Sequence, residues 1–539
     1  MSVVESANIL GYNQSIKLKT AINFRYSLIM FNKIDKTLFF ILLLALLTRI
    51  PQLNGSFWLD EAAQALESAR PFAQQLDIIP DFQPPLLHLI LFGAIRVSSS
   101  EWWLRLIGAV IPGLIAIAAS YHLAKKSLGK TAATVTGLLL ATSSFHIFFS
   151  QELRPYSLVA MWAALSISTL YSYLEYKEPS VSIKQLFLTW WPLILINSLG
   201  LYSSYLYPFV IIASILVVAL LKRKLLKDYL VSAIATGVTF LPWLPTFYQQ
   251  LTTGQTLRQS LPGWDQVVSH PQLQALPLTL GKFFFGVLKL NVNLTYICLS
   301  AAIAFGTMVL FLYSHQKPAA NKNNKTQISF LHYSLLLSLF MMLIPWLVSF
   351  LIPVVQPKRL MFVQPLIFIL LSALISSGFR AKQLVAKFIA GLLLILLMTI
   401  NLFSSYRYFT SPSLQRENWR DLVKLVATRF PNNNTILIFA FDDAFAPWRW
   451  YAQDTFNTLA TGKSPPISLE EAQEKIKPAY EYQFVLLFDY LRDLTDPENY
   501  LPQALTSLGY EEIEVIDREN IGFVRVYIQD KTLLMSYRE

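Results

Sequence analysis

The main pattern in the sequence is a series of long apolar runs separated by short polar segments. A helix needs about 20 mostly apolar residues to cross the hydrocarbon core of a bilayer. Eleven runs approach this length, and each is predicted to be a membrane-spanning helix. They cover residues 33–53, 104–124, 132–150, 156–174, 186–203, 204–221, 229–249, 294–314, 328–351, 361–378 and 386–404. The pattern therefore predicts a polytopic α-helical membrane protein.

Basic residues mark every second connection between these runs, which predicts the orientation of the chain. Short loops rich in Lys and Arg stay in the cytoplasm. The basic loops contain Lys125, Lys126, Lys130, Lys177, Lys184, residues 222–227, Lys317, Lys322, Lys325, Arg380, Lys382 and Lys387. This alternation puts the N-terminus inside and the residues after the last run outside.

Residues 53–103 form a predicted outer loop between the first two runs. The segment DEAAQALESARPFAQQL favours a helix, and PPLLHLILFGAIRV is an apolar piece of about 14 residues, which suits a helix lying in the membrane interface. A second outer loop, 250–293, contains the similar piece LPLTLGKFFFGVLKL.

The tail of the chain has the pattern of a small α/β domain. It predicts a helix at 417–430, strands at 435–440 and 483–488, and a hairpin within 512–528. Ser468 and Glu471 form a capping box before another helix. The predicted organisation is a cytoplasmic N-terminal extension at 1–32, a transmembrane domain at 33–404 and a soluble extracytoplasmic α/β domain at 405–539. A start at Met30 is an alternative for the extension.

Composition excludes several classes of protein. Of the 539 residues, 54% are hydrophobic and 14% are charged, against about 25% charged in soluble domains. A soluble enzyme, a disordered protein and a disulfide scaffold are therefore excluded. Residues 1–403 hold 30 Lys and Arg against 13 Asp and Glu, and residues 404–539 hold 14 against 20. The basic excess follows from the orientation of the loops, so no nucleic-acid partner is predicted.

Carboxylates are scarce on the predicted outer side, which limits where chemistry can occur. Ionisable groups in membrane proteins are costly and usually functional. The eight outer candidates are Asp60, Glu61, Glu67, Asp77, Asp81, Glu101, Glu152 and Asp265. Any acid or base that acts at the outer face must come from this set.

Asp60 and Glu61 lie where the first run leaves the membrane. Adjacent helical residues point about 100° apart, so these two cannot form one paired-carboxylate site. One can face a cavity while the other caps the helix or forms an ion pair. The alternative is that both only complement the dipole of the helix N-terminus.

Four cations on the outer side suggest an anionic ligand. Lys358 and Arg359 depart from the positive-inside pattern, and Arg105 and Arg154 lie at the outer ends of other runs. Together they could bind a phosphate opposite Asp60. The alternatives are that Lys358 and Arg359 extend to lipid headgroups, and that Arg154 only pairs with Glu152.

Four motifs, in this order, resemble the GT-C glycosyltransferases that use polyprenyl-phosphate sugars, and most closely their family 39. That branch includes protein O-mannosyltransferases and lipid A aminoarabinose transferases. The motifs are WLDEA (58–62), QPPL (83–86), SEWWLRLIGAVIPGL (100–114) and SQELRPYSL (150–158), followed by the similar segment RENWRDLVKLV (416–426). The resemblance covers residues from about 36 to 440.

The resemblance implies a site and a reaction. Asp60 corresponds to the family's proposed base, with Glu61 as its companion, and the family's arginine at the start of the second span corresponds to Arg105. Gln83 replaces the histidine of the family's His-Pro-Pro motif, which weakens any metal-binding role there. Glu152 and Tyr156 are further substrate-site candidates within SQELRPYSL. Metal dependence stays open, with a divalent cation as the one candidate cofactor.

The predicted function is transfer of a sugar from a polyprenyl-phosphate donor to an acceptor at the outer face of the membrane. The acceptor could be a protein, a lipid or a glycan, and membrane lipids surround the site. One base and a phosphate leaving group predict inversion at the sugar, and the predicted location is a bacterial inner membrane. A hydrolase that uses Asp60 and Glu152 as two carboxylates is an open alternative. The competing classes are a multispan transporter or lipid flippase and a non-catalytic assembly protein.

Overall fold

The computed structural model describes most of the chain. The described residues are 35–176, 179–260, 270–288, 293–315, 322–352, 354–462, 466 and 468–529. The predicted extension 1–32, with Met30, and the candidate carboxylate Asp265 lie outside these ranges.

Every predicted apolar run coincides with helical structure, and further helices occupy the two predicted outer loops. In chain order the helices up to residue 410 are α1 (Lys36–Leu47), α2 (Leu59–Ala69), α3 (Leu86–Ile95), α4 (Glu101–Leu128), α5 (Lys130–Thr142), α6 (Ser144–Phe149), α7 (Tyr156–Tyr176), α8 (Ile183–Leu201), α9 (Pro208–Leu221), α10 (Leu226–Phe240), α11 (Leu244–Ser260), α12 (Gln272–Phe285), α13 (Leu294–His315), α14 (Lys322–Val348), α15 (Gln364–Arg380) and α16 (Leu384–Thr410).

Seven segments within the described ranges have the length and apolar composition needed to cross a membrane. They are Glu101–Leu128, Tyr156–Glu175, Arg223–Thr256, Leu294–Ser314, Phe330–Val348, Pro357–Arg380 and Leu384–Thr410. The run predicted at 132–150 is divided at Ser143, whose extended backbone ends α5 and whose hydroxyl caps α6. The polytopic helical architecture is confirmed, and the count of eleven spans stays a prediction.

The segment after α1 leads directly into the predicted outer loop. There α2 and the ten-residue α3 pack against each other. Helix α4 contains a π-helical turn at Leu106–Val110, directly after Arg105. Such turns are single-residue expansions of the helix and are frequent at functional sites. We call the end of the bundle that carries α2 and α3 the outer end.

The tail forms the predicted α/β domain around one five-stranded sheet. Its elements are α17 (Trp419–Arg429), β1 (Thr435–Phe439), α18 (Ala446–Ala452), β2 (Asn457–Ala460), α19 (Leu469–Ile476), β3 (Phe484–Phe488), α20 (Arg492–Thr495), α21 (Tyr500–Ser507), β4 (Glu511–Arg518) and β5 (Gly522–Ile528). The strand order is β2-β1-β3-β5-β4. β1 pairs in parallel with β2 and β3, while β5 pairs antiparallel with β3 and β4.

The sequence located most of this domain correctly. The two fully buried strands β1 and β3 and the β4–β5 hairpin are confirmed, and the Ser468 hydroxyl accepts the Glu471 N–H as a capping box requires. Strand β2 was missed because it has four residues and a mostly exposed surface, which gives neither an apolar run nor an alternation.

The tail packs directly on the outer end of the bundle. Helix α18 lies against α2. The Trp450 ring meets Phe57 edge-on, with 5.7 Å between ring centroids. The tail therefore covers the segment that leads into α2, where the candidate base is located.

Candidate active site

Asp60 lies in the first turn of α2 and is the accessible member of the acidic pair. Its side chain is 36% exposed, and one carboxylate oxygen lies 4.0 Å from the Arg154 Nε. The helix N-terminus favours negative charge there. Asp60 is therefore held near a cation while remaining open to a substrate.

Glu61 is fully buried and forms a bidentate pair with Arg105. The Arg105 Nε donates to one carboxylate oxygen at 2.9 Å, and its Nη2 donates to the other. The same carboxylate accepts the backbone N–H of Leu153 at 2.7 Å. Although burial alone raises the pKa of Glu61, the Arg105 charge outweighs burial, so this pKa is lowered. Glu61 therefore stays ionised and links α2, α4 and the SQELRPYSL segment.

Arg105 has no N–H group left for a ligand. Its remaining three donors go to the carbonyls of Leu53, Gly55 and Ser56 at 2.9, 2.6 and 3.0 Å. A guanidinium has five N–H donors, and all five are used. The structure shows that Arg105 and Glu61 are paired with each other, and their predicted roles at a donor phosphate and beside Asp60 stay predictions. The sequence could not foresee this because the pairing depends on the approach of α4 to α2.

Glu152 is a second buried carboxylate, close to Glu61. Its side chain is 3% exposed and lies 3.6 Å from the Arg416 Nη2. Burial raises the pKa of Glu152, and the nearby Arg416 only partly opposes this. One of its oxygens has no hydrogen-bond partner among the described residues.

Arg416 comes from the tail and is a further cation at this site, for which the sequence alone predicted no role. Its Nε is 4.0 Å from Glu61, and its side chain is 8% exposed. Arg416 therefore places one cation beside two buried carboxylates, Glu61 and Glu152. The available signal was its place at the start of RENWRDLVKLV, directly after the last span.

Three of the predicted cations interact electrostatically with Asp60. Arg154 is 13% exposed and donates to Asp81 at 2.8 Å, while its Nε has no hydrogen-bond partner in the described part of the chain. Burial alone lowers the pKa of Arg154, but Asp81 and Asp60 together raise it well above its ordinary value. Lys358 and Arg359 lie within electrostatic range of Asp60.

Two aromatic rings flank Lys358. Its ammonium lies 5.7 Å from the centroid of Trp58 and 5.6 Å from that of Tyr156. Trp58 immediately precedes α2, and its buried indole N–H has no partner within the described ranges. Near Asp60, the Trp58 indole N–H, the Arg154 Nε and one Glu152 oxygen thus have no hydrogen-bond partner among the described residues. A buried polar group without a hydrogen bond is costly.

Gln83 belongs to a separate buried polar cluster behind Arg154. It is 4% exposed and hydrogen-bonds to Asp81, Gln64 and His88. Gln83 is connected to Asp60 through Asp81 and Arg154.

Asp81, His88 and Glu67 make this cluster a candidate metal centre. The His88 Nε2 lies 2.8 Å from Asp81 and 3.8 Å from Glu67, and one ligand atom from each residue lies within 4.8 Å of the others. Burial raises the pKa of Glu67 to about 8, and the neighbouring Asp81 adds to this. Although burial also acts on Asp81, Arg154 and His88 lower its pKa.

Comparisons with known proteins match part of the chain to a known sequence family. Residues 82–248 match the sequence family described as dolichyl-phosphate-mannose-protein mannosyltransferase. A search of curated proteins found no match.

Solved structures share the fold of the chain. ArnT from Cupriavidus metallidurans bound to undecaprenyl phosphate is 13% identical, with a TM-score of 0.53 over 92% of this chain and 98% of that chain. AglB, the archaeal oligosaccharyltransferase from Archaeoglobus fulgidus, in complex with an inhibitory peptide and a dolichol-phosphate, is 14% identical, with a TM-score of 0.50 over 92% of this chain and 74% of that chain. The A. fulgidus oligosaccharyltransferase in complex with Zn and sulfate is 13% identical, with a TM-score of 0.50 over 91% and 73%. These matches confirm the predicted GT-C fold and the predicted resemblance.

The Glu61–Arg105 pair generates a stability prediction. We expect Glu61→Ala to lower the free energy of unfolding by about 3–5 kcal/mol, because it leaves a buried guanidinium without its counter-charge. The measurement is thermal unfolding of the detergent-purified protein, with Asp77→Ala as the control because Asp77 is exposed in the same loop. An unfolding midpoint equal to that of the wild type would contradict the assigned role of Glu61.

Proposed function

We propose that this chain, with its GT-C fold and its match to a mannosyltransferase family, is an integral-membrane glycosyltransferase that uses a polyprenyl-phosphate sugar. The observation that carries the proposal is the accessible Asp60 carboxylate, which lies 4.0 Å from the Arg154 Nε and within electrostatic range of Lys358 and Arg359. A base beside a cationic site suits transfer from a donor whose leaving group is a phosphate.

In the proposed reaction Asp60 accepts the proton of the acceptor's hydroxyl or amine as that group attacks C1 of the sugar. The bond between C1 and the phosphate oxygen breaks, and its electrons stay on the phosphate. Lys358, Arg359 and the partnerless Nε of Arg154 stabilise the negative charge that develops there. A single base and attack from the face opposite the phosphate give inversion.

Two further atoms without a hydrogen-bond partner among the described residues are assigned to the sugar. The buried indole N–H of Trp58 can donate to a hydroxyl, and the unpartnered oxygen of Glu152 can accept from one. Tyr156 flanks the Lys358 ammonium and helps to fix its position. The sugar and the acceptor are chosen by contacts that these groups make.

Orientation and location are part of the proposal. The basic loops support an N-terminus in the cytoplasm and a site at the outer face of a bacterial inner membrane. No contact among the described residues favours the transporter alternative, since the charged site lies at one end of the bundle and transporter sites lie near the midplane. The donor's isoprenoid chain can remain in lipid while its phosphate reaches the cations.

The central test is donor turnover by the Asp60→Asn variant. We expect the release of free polyprenyl phosphate from a panel of polyprenyl-phosphate sugars to fall by about 10²–10⁴-fold, the usual contribution of a general base. Asp77→Asn is the matched control, because Asp77 is exposed in the same loop. Equal release by the wild type and Asp60→Asn, with acceptor present, would remove Asp60 as the base.

Lys358→Gln tests the phosphate site. Because one well-placed charged donor commonly stabilises a transition state by about 2.7–4 kcal/mol, we expect kcat/KM for the donor to fall about 10²-fold. The exposed Lys382→Gln is the control. Unchanged donor kinetics in Lys358→Gln would argue that Lys358 only contacts lipid headgroups.

We also propose that Glu67, Asp81 and His88 can bind one divalent cation. The donor set fits, because it combines an imidazole with two carboxylates, and a Glu67 oxygen is buried without a hydrogen-bond partner in the described ranges. Bound there, the cation would lend positive charge that holds Asp81 and α2 together behind Arg154. Asp60 itself lies outside this ligand set.

Metal content and thermal stability test this cation site. We expect Zn²⁺ at about 100 times its Kd to stabilise the chelator-treated protein by about 2.7 kcal/mol, with one equivalent bound by elemental analysis. His88→Ala should abolish both effects, whereas His332→Ala, at an exposed position, should retain them. Equal zinc content in the wild type and His88→Ala would rule out the site.

A further inference from the structure

The tail supplies contacts to the backbone that leads into the Asp60 helix. The Tyr451 hydroxyl accepts the N–H of Phe57 at 2.8 Å. The Ser56 hydroxyl accepts the N–H of Arg420 at 3.2 Å. A third contact is made to α2 itself, where a Glu417 carboxylate oxygen accepts the N–H of Leu59 at 3.3 Å.

The Leu59 N–H has no partner within its own helix. The first four N–H groups of an α-helix lack intrahelical acceptors, and Trp58, at the N-cap position of α2, offers no side-chain cap. Glu417 therefore acts as the cap of α2, although it lies 358 residues further along the chain. The residue that follows the capped N–H is Asp60.

Other contacts fix Glu417 firmly within the tail. The indole N–H of Trp419 donates to the same carboxylate oxygen at 2.6 Å, and the Tyr490 hydroxyl donates to the other at 2.7 Å. Trp419 is itself buried and stacks on Phe488 of β3, with 6.1 Å between centroids. The position of the Glu417 carboxylate is thus set by the core of the tail domain.

Glu417 carries no direct contact that would make it a second base. Both of its oxygens are occupied by donors, one from α2 and two from the tail. Two effects therefore connect Glu417 to Asp60: the hydrogen bond to the backbone of Leu59, and a charge interaction between the two carboxylates. Glu417→Gln removes the second effect and keeps the first. A displacement of about 1 Å at a reacting group can cost about 10²-fold in rate.

We propose that Glu417 is a positioning residue for Asp60, so that the tail domain is a working part of the active site and not only a cover or an acceptor-selecting module. This inference rests on the proposed function, in which Asp60 is the base. In this proposal the tail domain, through Glu417, holds the first turn of α2 beside the proposed phosphate site.

The test compares three substitutions at one position in the full-length protein. Glu417→Ala removes the cap, and Glu417→Asp shortens the side chain so that it cannot reach Leu59. Glu417→Gln keeps an acceptor oxygen for Leu59 and Trp419, while the Tyr490 hydroxyl can accept from the new amide. Glu474→Ala is the control, at an exposed site in α19.

We expect Glu417→Ala and Glu417→Asp to lower kcat by about 10–100-fold, with the KM for the donor changed less than about threefold. Glu417→Gln should keep at least a third of the wild-type kcat, and Glu474→Ala should match the wild type. If Glu417→Ala does not fold, Glu417→Asp and Glu417→Gln decide the matter.

Two results would overturn the proposal. One is a folded Glu417→Asp with kcat within threefold of the wild type. The other is a loss in Glu417→Gln as large as that in Glu417→Asp, since a preserved hydrogen bond would then fail to rescue. Asp60→Asn, measured alongside, separates the two hypotheses: if Asp60→Asn turns over donor like the wild type, the proposed function itself fails.

Discussion

The buried ion pair between Glu61 and Arg105 is the constraint on which the outer end of the molecule depends. Two charges without contact to water are tolerated only when their geometry is good and every remaining donor is satisfied. Here the guanidinium meets both carboxylate oxygens and three backbone carbonyls of the segment before α2. The pair therefore fixes three separate stretches of chain relative to one another and leaves Asp60 as the accessible acid of the WLDEA motif.

The cations of the outer end differ in how fully they are paired. Arg105 uses all five of its N–H groups on Glu61 and on backbone carbonyls. Arg416 lies against Glu61 and Glu152, and Arg154 donates to Asp81, yet the Nε of each has no hydrogen-bond partner in the described chain. Lys358 lies between two aromatic rings. A buried donor without a partner is costly, which is why the proposed function assigns the Arg154 Nε to the phosphate.

Much of this architecture follows from local properties of the sequence. The apolar runs predict the helices because crossing a bilayer requires length and apolarity along one continuous segment. Neighbours on a helix point about 100° apart, so the sequence predicts that only one of Asp60 and Glu61 faces a cavity. In the structure Glu61 is the buried, paired residue and Asp60 is the accessible one. The pairing of Arg105 could not be predicted from the sequence, because its partners lie in stretches of chain that meet only in the folded protein. For the same reason Glu417 gave no sequence signal.

The distance along the chain between α2 and its cap has a consequence for biosynthesis. Leu59 and Glu417 are separated by 358 residues, and at about 5–20 residues per second a ribosome needs on the order of 20–70 s to make that stretch. During this interval α1 and α2 exist while Glu417 does not. The hydrogen bond to the Leu59 N–H can therefore form only after α16 has been made, so the first turn of α2 lacks this contact until the helices of the bundle have been synthesised.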